Sequence, residues 1–317
     1  MNVLVATAGD HSWSRALRAE VEAVARLDRI GEHTLVADPG EAEVILFVDP
    51  HQHPSDWRQR ALRRHPLVQE FPEKVFVYDE RDLPRDSLPG VYVSMPRGSF
   101  DPHRHRAFAY YRLANDVGGV PEDPPDLLFS FQGRRVGPVR PAVLALSHPR
   151  AVVEDTSRYD FFGPQSPLLD DARRRYREVM GRSKFVLCPR GSGTGSFRLF
   201  EALACGRVPV VVSDDWVAPE GIAWETCSLR VPERDVRTIP GRLEALEPQW
   251  PELSTAAASV YREWFAGDVW FHRAVEHCRE LRERGALGLR RQWLDRQMWR
   301  AGARHWKHTL ATRRRSG

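Results

Sequence analysis

The sequence predicts a two-domain α/β protein with mostly parallel sheets. Three observations predict it. The chain has 317 residues, enough for two domains of ordinary size. Apolar residues make up 42% and charged residues 28%, a globular balance. Short apolar runs alternate with polar, helix-like stretches along most of its length.

In the first domain, residues 3–6 read as a buried strand. The loop Ala8 to His11 and a helix from about Trp13 to Ala25 follow. Residues 44–48, 75–78 and 91–94 read as further strands. The Pro/Asp-rich stretch 121–125 then interrupts the pattern and is taken as the domain linker, since proline suits neither helix nor sheet. A second series follows, with strands expected at 127–131, 151–153, 185–188 and 208–213 and helices at 140–146 and 171–181. These readings give domains of 1–120 and 126–270, with C-terminal helices and a basic tail over 271–317. Leu289, Trp293, Leu294, Met298 and Trp299 form an apolar stripe at helical spacing. That stripe is expected to pack back on the first domain.

Composition excludes several classes. A net charge of +4, from 47 basic and 43 acidic residues, is too balanced for a nucleic-acid partner. No apolar run is long enough to cross a bilayer, and the N-terminus lacks a basic leader, so the expectation is a cytoplasmic protein. Arg300, Arg304, Lys307, Arg313, Arg314 and Arg315 cluster in the tail. They read as a solvated end, with weak contact to an anionic membrane surface as the alternative. Cys188, Cys205, Cys227 and Cys278 form no C-x-x-C pair and read as buried free thiols.

The richest segment is 183–214. A strand runs into Pro189, Arg190 and Gly191, a loop carries Gly193 and Gly195, and a short helix begins near Ser196. Backbone N–H groups, the positive helix end and Arg190 suit a phosphate or diphosphate. Ser196 or Thr194 can cap the helix, and Gly206 suits its C-terminal end. Leu199, Phe200 and Leu203 make an apolar wedge, and Glu201 falls opposite, beside Phe197 and Arg198. A carboxylate there either accepts two vicinal hydroxyls, as a ribose presents them, or is a surface group paired with Arg198.

Residues 185–191 (FVLCPRG) and 196–219 (SFRLFEALACGRVPVVVSDDWVAP), four residues apart, resemble the signature of the exostosin family of glycosyltransferases. So do the Tyr176–Glu178 stretch and the run 127–133 with Arg140 downstream, and residues 75–79 more faintly. The resemblance implies a GT-B fold, in which two Rossmann-like domains face a cleft. It implies a nucleotide-diphosphate sugar, usually UDP-linked, as co-substrate, and a glycan or small-molecule acceptor. Carried over, Arg190, Ser196 and Arg198 hold the diphosphate and Glu201 the ribose. Gly133, Arg134 and Arg140 line the phosphate side, and Gly191, Gly195 and Phe197 complete the donor site. Many retaining GT-B enzymes carry a second Glu eight residues before the ribose-binding one. Gly193 stands there in this chain, which points to inversion.

Inversion needs a general base on the acceptor hydroxyl and charge stabilisation on the leaving diphosphate. Arginines and a helix end can supply the latter, so no cofactor and no metal are expected; Asp214 and Asp215 are the alternative. The base is expected in the first domain. His11 and Asp10 are placed first, with Asp49, His51 and His53 or Asp79 and Glu80 as rivals. Two other functions remain open: a non-catalytic nucleotide-sugar or glycan-binding module, and a sugar-nucleotide epimerase on the same fold.

Overall fold

Strands that are covered on both faces need continuous apolar runs, and this chain supplies them in two groups. The computed structural model describes residues 1–49, 60–85, 88–159 and 167–285. One group is β1 (Asn2–Thr7), β2 (Thr34–Leu35), β3 (Val44–Asp49), β4 (Val75–Asp79), β5 (Gly90–Tyr92) and β6 (His105–Ala107). They pair in parallel in the order β2-β1-β3-β4-β5-β6. The other group is β7 (Leu127–Gly133), β8 (Ala151–Asp155), β9 (Ser183–Pro189), β10 (Val208–Val212) and β11 (Leu229–Arg230). Its order is β11-β10-β9-β7-β8, again parallel. Every residue of β3 and β10 is buried.

The helices, in chain order, are α1 (Ser12–Arg26), α2 (Arg60–Arg64), α3 (Pro66–Glu70), α4 (Arg140–Leu144), α5 (Pro167–Gly181), α6 (Phe197–Ala204), α7 (Ile239–Leu246), α8 (Trp250–Val260) and α9 (Gly267–Glu283). The chain divides into two compact units, Met1–Tyr111 with Gly267–Gly317, and Arg112–Ala266. Each is a parallel-sheet α/β body with its own apolar core, the pair of Rossmann-like units that a GT-B-type fold requires.

α9 follows the second unit in sequence but packs on the first sheet. Trp270, Phe271, Ala274, Val275, Cys278 and Leu281 form its buried stripe. Trp270 Nε1 donates to Ala109 O at 3.2 Å and its ring meets Tyr78 edge-on at 4.9 Å. Arg106, 1% exposed, donates from Nε to Glu280 at 3.0 Å. The return of C-terminal helix to the first domain is thus made by α9. The stripe Leu289 to Trp299 and the basic tail lie outside the described residues.

The stretch 121–125 is not the point where the units divide. The division falls at Tyr111 and Arg112, and residues 112–125 belong to the second unit. Val117 O accepts from Cys205 Sγ at 3.6 Å, Val120 lies against Gly206 and Pro121 against Gly181. Proline prevents helix and strand pairing, but it does not prevent packing. Among the described residues, no helix is long and apolar enough to cross a membrane.

Candidate active site

Ligands of parallel α/β sheets bind at the carboxyl ends of the strands, where the strand order reverses. In the second unit, β7 sits between β8 and β9, so the chain turns one way after β7 and the other way after β9. The loops that meet there are those expected to carry the chemistry. Gly137 has φ 78°, and a Cβ on it would lie 2.4 Å from Gly191 O. A Cβ on Gly191 would lie 2.9 Å from Arg140 Nη2. Only glycine permits this approach of two backbones. Arg140 donates from Nη1 to Arg134 O at 3.2 Å, and the Arg134 side chain is exposed. Arg198 donates from Nε and Nη2 to Gln132 O at 2.9 and 2.6 Å. A Cβ on Gly133 would meet Arg198 Nη2 at 2.9 Å. Gly133, Arg134, Arg140, Gly191 and Arg198 are therefore brought together.

α6 starts beside this junction. Ser196 occupies its N-cap with φ −147° and ψ 129°, but its side chain makes no capping bond, contrary to expectation. The first turn holds no acidic residue, so the positive helix end is not offset locally. Among the described residues, Ser196 Oγ, Thr194 Oγ1 and Ser213 Oγ are buried and have no hydrogen-bond partner. Buried hydroxyls are rarely left unpaired, and these stand at the carboxyl ends of β9 and β10. Such a donor set suits a phosphate. Gly195 and Phe197 flank Ser196 in the same turn. The other end of α6 is as expected. Gly206 takes φ 61°, Arg207 N donates to Ala202 O at 2.8 Å and Gly206 N to Leu203 O at 3.0 Å.

Two side chains are placed differently from their expectation. Glu201 does not face solvent or Arg198's carboxylate-pairing side. It is 0% exposed, and Oε1 accepts from Asn115 N and Nδ2, each at 2.9 Å. Oε2 accepts from the Tyr176 hydroxyl at 2.5 Å. The one-sided helix pattern failed because α5 and the segment around Asn115 cover the side that periodicity leaves open. Arg190 is paired with Glu233, Nε to Oε1 at 2.6 Å. Glu233 also accepts from Asp214 N at 3.1 Å, and Asp214 Oδ1 accepts from Glu233 N at 3.1 Å. Arg230 Nη2 donates to Ser213 O, Asp214 O and Trp216 O at 3.0, 3.0 and 3.1 Å. Arg230, Glu233 and Asn115 brace the site and were missed, because no local motif marks them.

The first sheet reverses between β1 and β3, which is where His11, Asp10 and Asp49 stand. His11 is the N-cap of α1, exposed, and makes no side-chain cap bond. Asp10 precedes the cap position and binds Arg15 Nη1 at 2.9 Å, so it does not cap the helix. Asp49 is buried and accepts from Ser14 Oγ at 2.7 Å. Asp79 is gripped by Arg81 through Nε at 2.9 Å, Nη2 at 2.6 Å and the backbone N at 3.1 Å. Glu80 accepts from the Tyr78 hydroxyl at 3.1 Å. His51 and His53 lie outside the described residues. The four cysteines are buried free thiols. Burial pushes Cys205 and Cys227 up to about 12, so neither is a nucleophile at neutral pH. Among the described residues, no three His, Cys, Asp or Glu side chains group to hold a metal ion.

Residues 107–246 match the Exostosin GT47 domain. The chain is 42% identical over 92 residues to the Exostosin-1 homolog of Caenorhabditis elegans, covering 28% of this chain and 24% of that protein. It is 37% identical over 103 residues to the "Probable beta-1,4-xylosyltransferase IRX10" of Arabidopsis thaliana, covering 31% of this chain and 22% of that protein. The chain thus matches about a quarter of the length of these relatives. A solved glycosyltransferase from Rickettsia africae ESF-5 superposes with a TM-score of 0.45 at 10% identity, over 88% of this chain and 98% of that one.

Proposed function

We propose that this chain, which carries an exostosin GT47 domain over residues 107–246, transfers a sugar from a nucleoside-diphosphate donor to a hydroxyl of a glycan or small-molecule acceptor, with inversion. The observation that carries the reading is the junction of the β7 and β9 loops at the start of α6. There, Arg140 and Arg198 lie against the glycines of the two loops, and the buried hydroxyls of Thr194, Ser196 and Ser213 have no partner among the described residues. That is the chemistry a diphosphate needs, in the ground state and more so as its charge grows on leaving.

In the reaction the acceptor oxygen attacks the anomeric carbon as the bond to the diphosphate oxygen breaks. The hydroxyl proton passes to a general base, and the diphosphate leaves with the electron pair. Arg134, Arg140, Arg190 and Arg198 stabilise it together with Ser196 and the N–H groups of Gly191, Gly195 and Phe197. These donors perform the stabilisation without a divalent ion. Glu201 supports α6 from inside the unit. The family resemblance favours uridine as the base of the donor. His11 is the preferred general base because its ring is exposed at the point where the first sheet's strand order reverses. Asp10 orients it or takes the proton itself.

A donor screen tests the proposal. UDP-, GDP-, TDP- and ADP-sugars are scored by thermal shift, and the best is incubated with an acceptor panel. A ligand that binds only the folded state raises apparent stability by mass action, about 2.7 kcal/mol at a hundredfold excess over Kd. The expected result is one preferred nucleotide and an inverted product, with turnover of His11→Ala or Asp10→Asn reduced by orders of magnitude at unchanged donor affinity. Donor binding without transfer to any acceptor would leave a non-catalytic module.

A further inference from the structure

We propose that Tyr176, fixed by Glu201 and Asn115, is a positioning residue that holds Arg198 ready for the diphosphate. The inference rests on the donor site proposed above and assigns its buried support. A long arginine side chain has many rotamers, and one that must meet a phosphate gains from being held. Arg198 lies against two aromatic rings. Its guanidinium carbon lies 5.2 Å from the centre of the Phe131 ring and 5.9 Å from that of Tyr176. Both distances are within cation–π range. Nε and Nη2 go to the carbonyl of Gln132. Nη1 donates to no described residue and is available to an anion.

Phe131 is fixed by its strand, but Tyr176 sits on α5 and needs its own anchor. The anchor is Glu201, three residues after Arg198 on α6. Its two oxygens take the Tyr176 hydroxyl at 2.5 Å and both donors of Asn115 at 2.9 Å. A carboxylate can accept all three bonds, while a glutamine has only one oxygen to offer. Burial, and then the adjacent Glu201 charge, raise the Tyr176 phenol well above its usual value, so it stays a donor at any physiological pH. The clasp thus ties together α5, α6 and the Asn115 segment around one guanidinium.

The test is a double-mutant cycle on the full chain, read as Kd for uridine and guanosine diphosphate by calorimetry. Arg198→Ala is expected to weaken binding about 10- to 100-fold, and Tyr176→Leu about tenfold. Because Tyr176 acts through Arg198, adding Tyr176→Leu to Arg198→Ala should cost nothing more. Tyr176→Phe keeps the ring but loses the Glu201 anchor, so it should fall between wild type and Tyr176→Leu. Losses that multiply in the double variant would overturn the inference and leave the donor site standing. If wild-type protein binds neither nucleotide, the donor site and this inference fall together. If Tyr176→Leu does not fold, the Arg198 Nε–H resonance is followed in Tyr176→Phe. A shift or broadening supports the tether, and an unchanged signal refutes it.

Discussion

Replacing Glu201 by alanine removes three hydrogen bonds from a site with no solvent access. The carboxylate is 0% exposed and is the acceptor for Asn115 N, Asn115 Nδ2 and the Tyr176 hydroxyl. A buried donor left without a partner costs about 1–3 kcal/mol. Three would sum to more, but removing a buried charge also removes its desolvation cost, so about 3–5 kcal/mol is the expected net loss. Urea unfolding, followed by circular dichroism and tryptophan fluorescence, measures it. Glu201→Gln keeps one acceptor oxygen and should fall between. A Glu201→Ala variant within about 0.5 kcal/mol of wild type, the range of ordinary surface substitutions, would refute the buried-anchor account. It would return the carboxylate to the ligand-facing role that helix periodicity suggested.

Gly137→Ala forces a left-handed φ of 78° on alanine and sets its Cβ 2.4 Å from Gly191 O. The strained backbone costs about 1–3 kcal/mol, and separation of the two loops should weaken nucleotide binding by at least about tenfold in calorimetry. Glu247 accepts from Arg150 and Lys184, which hold its carboxyl at about 2, below its usual 4.5. A depressed carboxyl stabilises fully above its unfolded value and loses that contribution as pH falls through the folded one. Glu247→Gln should therefore be less stable than wild type near neutrality, with the gap closing between pH 4.5 and 2 in denaturation curves. The proposed transfer stabilises its leaving group with arginines and N–H groups, so it should persist in excess chelator; activity abolished by chelator and restored by magnesium or manganese would contradict this.

The long strands were legible because continuous apolar runs such as residues 44–48 have few other fates in a chain of this composition. β2, β6 and β11 were not, since two or three residues at a sheet edge carry no pattern. The β9–α6 loop was legible from its glycines, its arginine and the short helix behind it. The partners of its side chains were not. Arg190 meets Glu233, 43 residues away, and Glu201 meets Asn115, 86 residues away. Such pairs are set by the register of distant elements. The first boundary was placed too late for a related reason: the prolines of 121–125 mark where regular structure stops, while the units divide where contacts stop.

The central claim is that the β7–β9 junction binds a nucleoside diphosphate. Amide hydrogen exchange of the full chain, with and without the nucleotide preferred in the donor screen, tests it most directly. Slowed exchange over residues 133–140 and 190–201, lost in Arg198→Ala, is the predicted result. Nucleotide binding that leaves those two segments unprotected, or protects them equally in Arg198→Ala, would contradict the account.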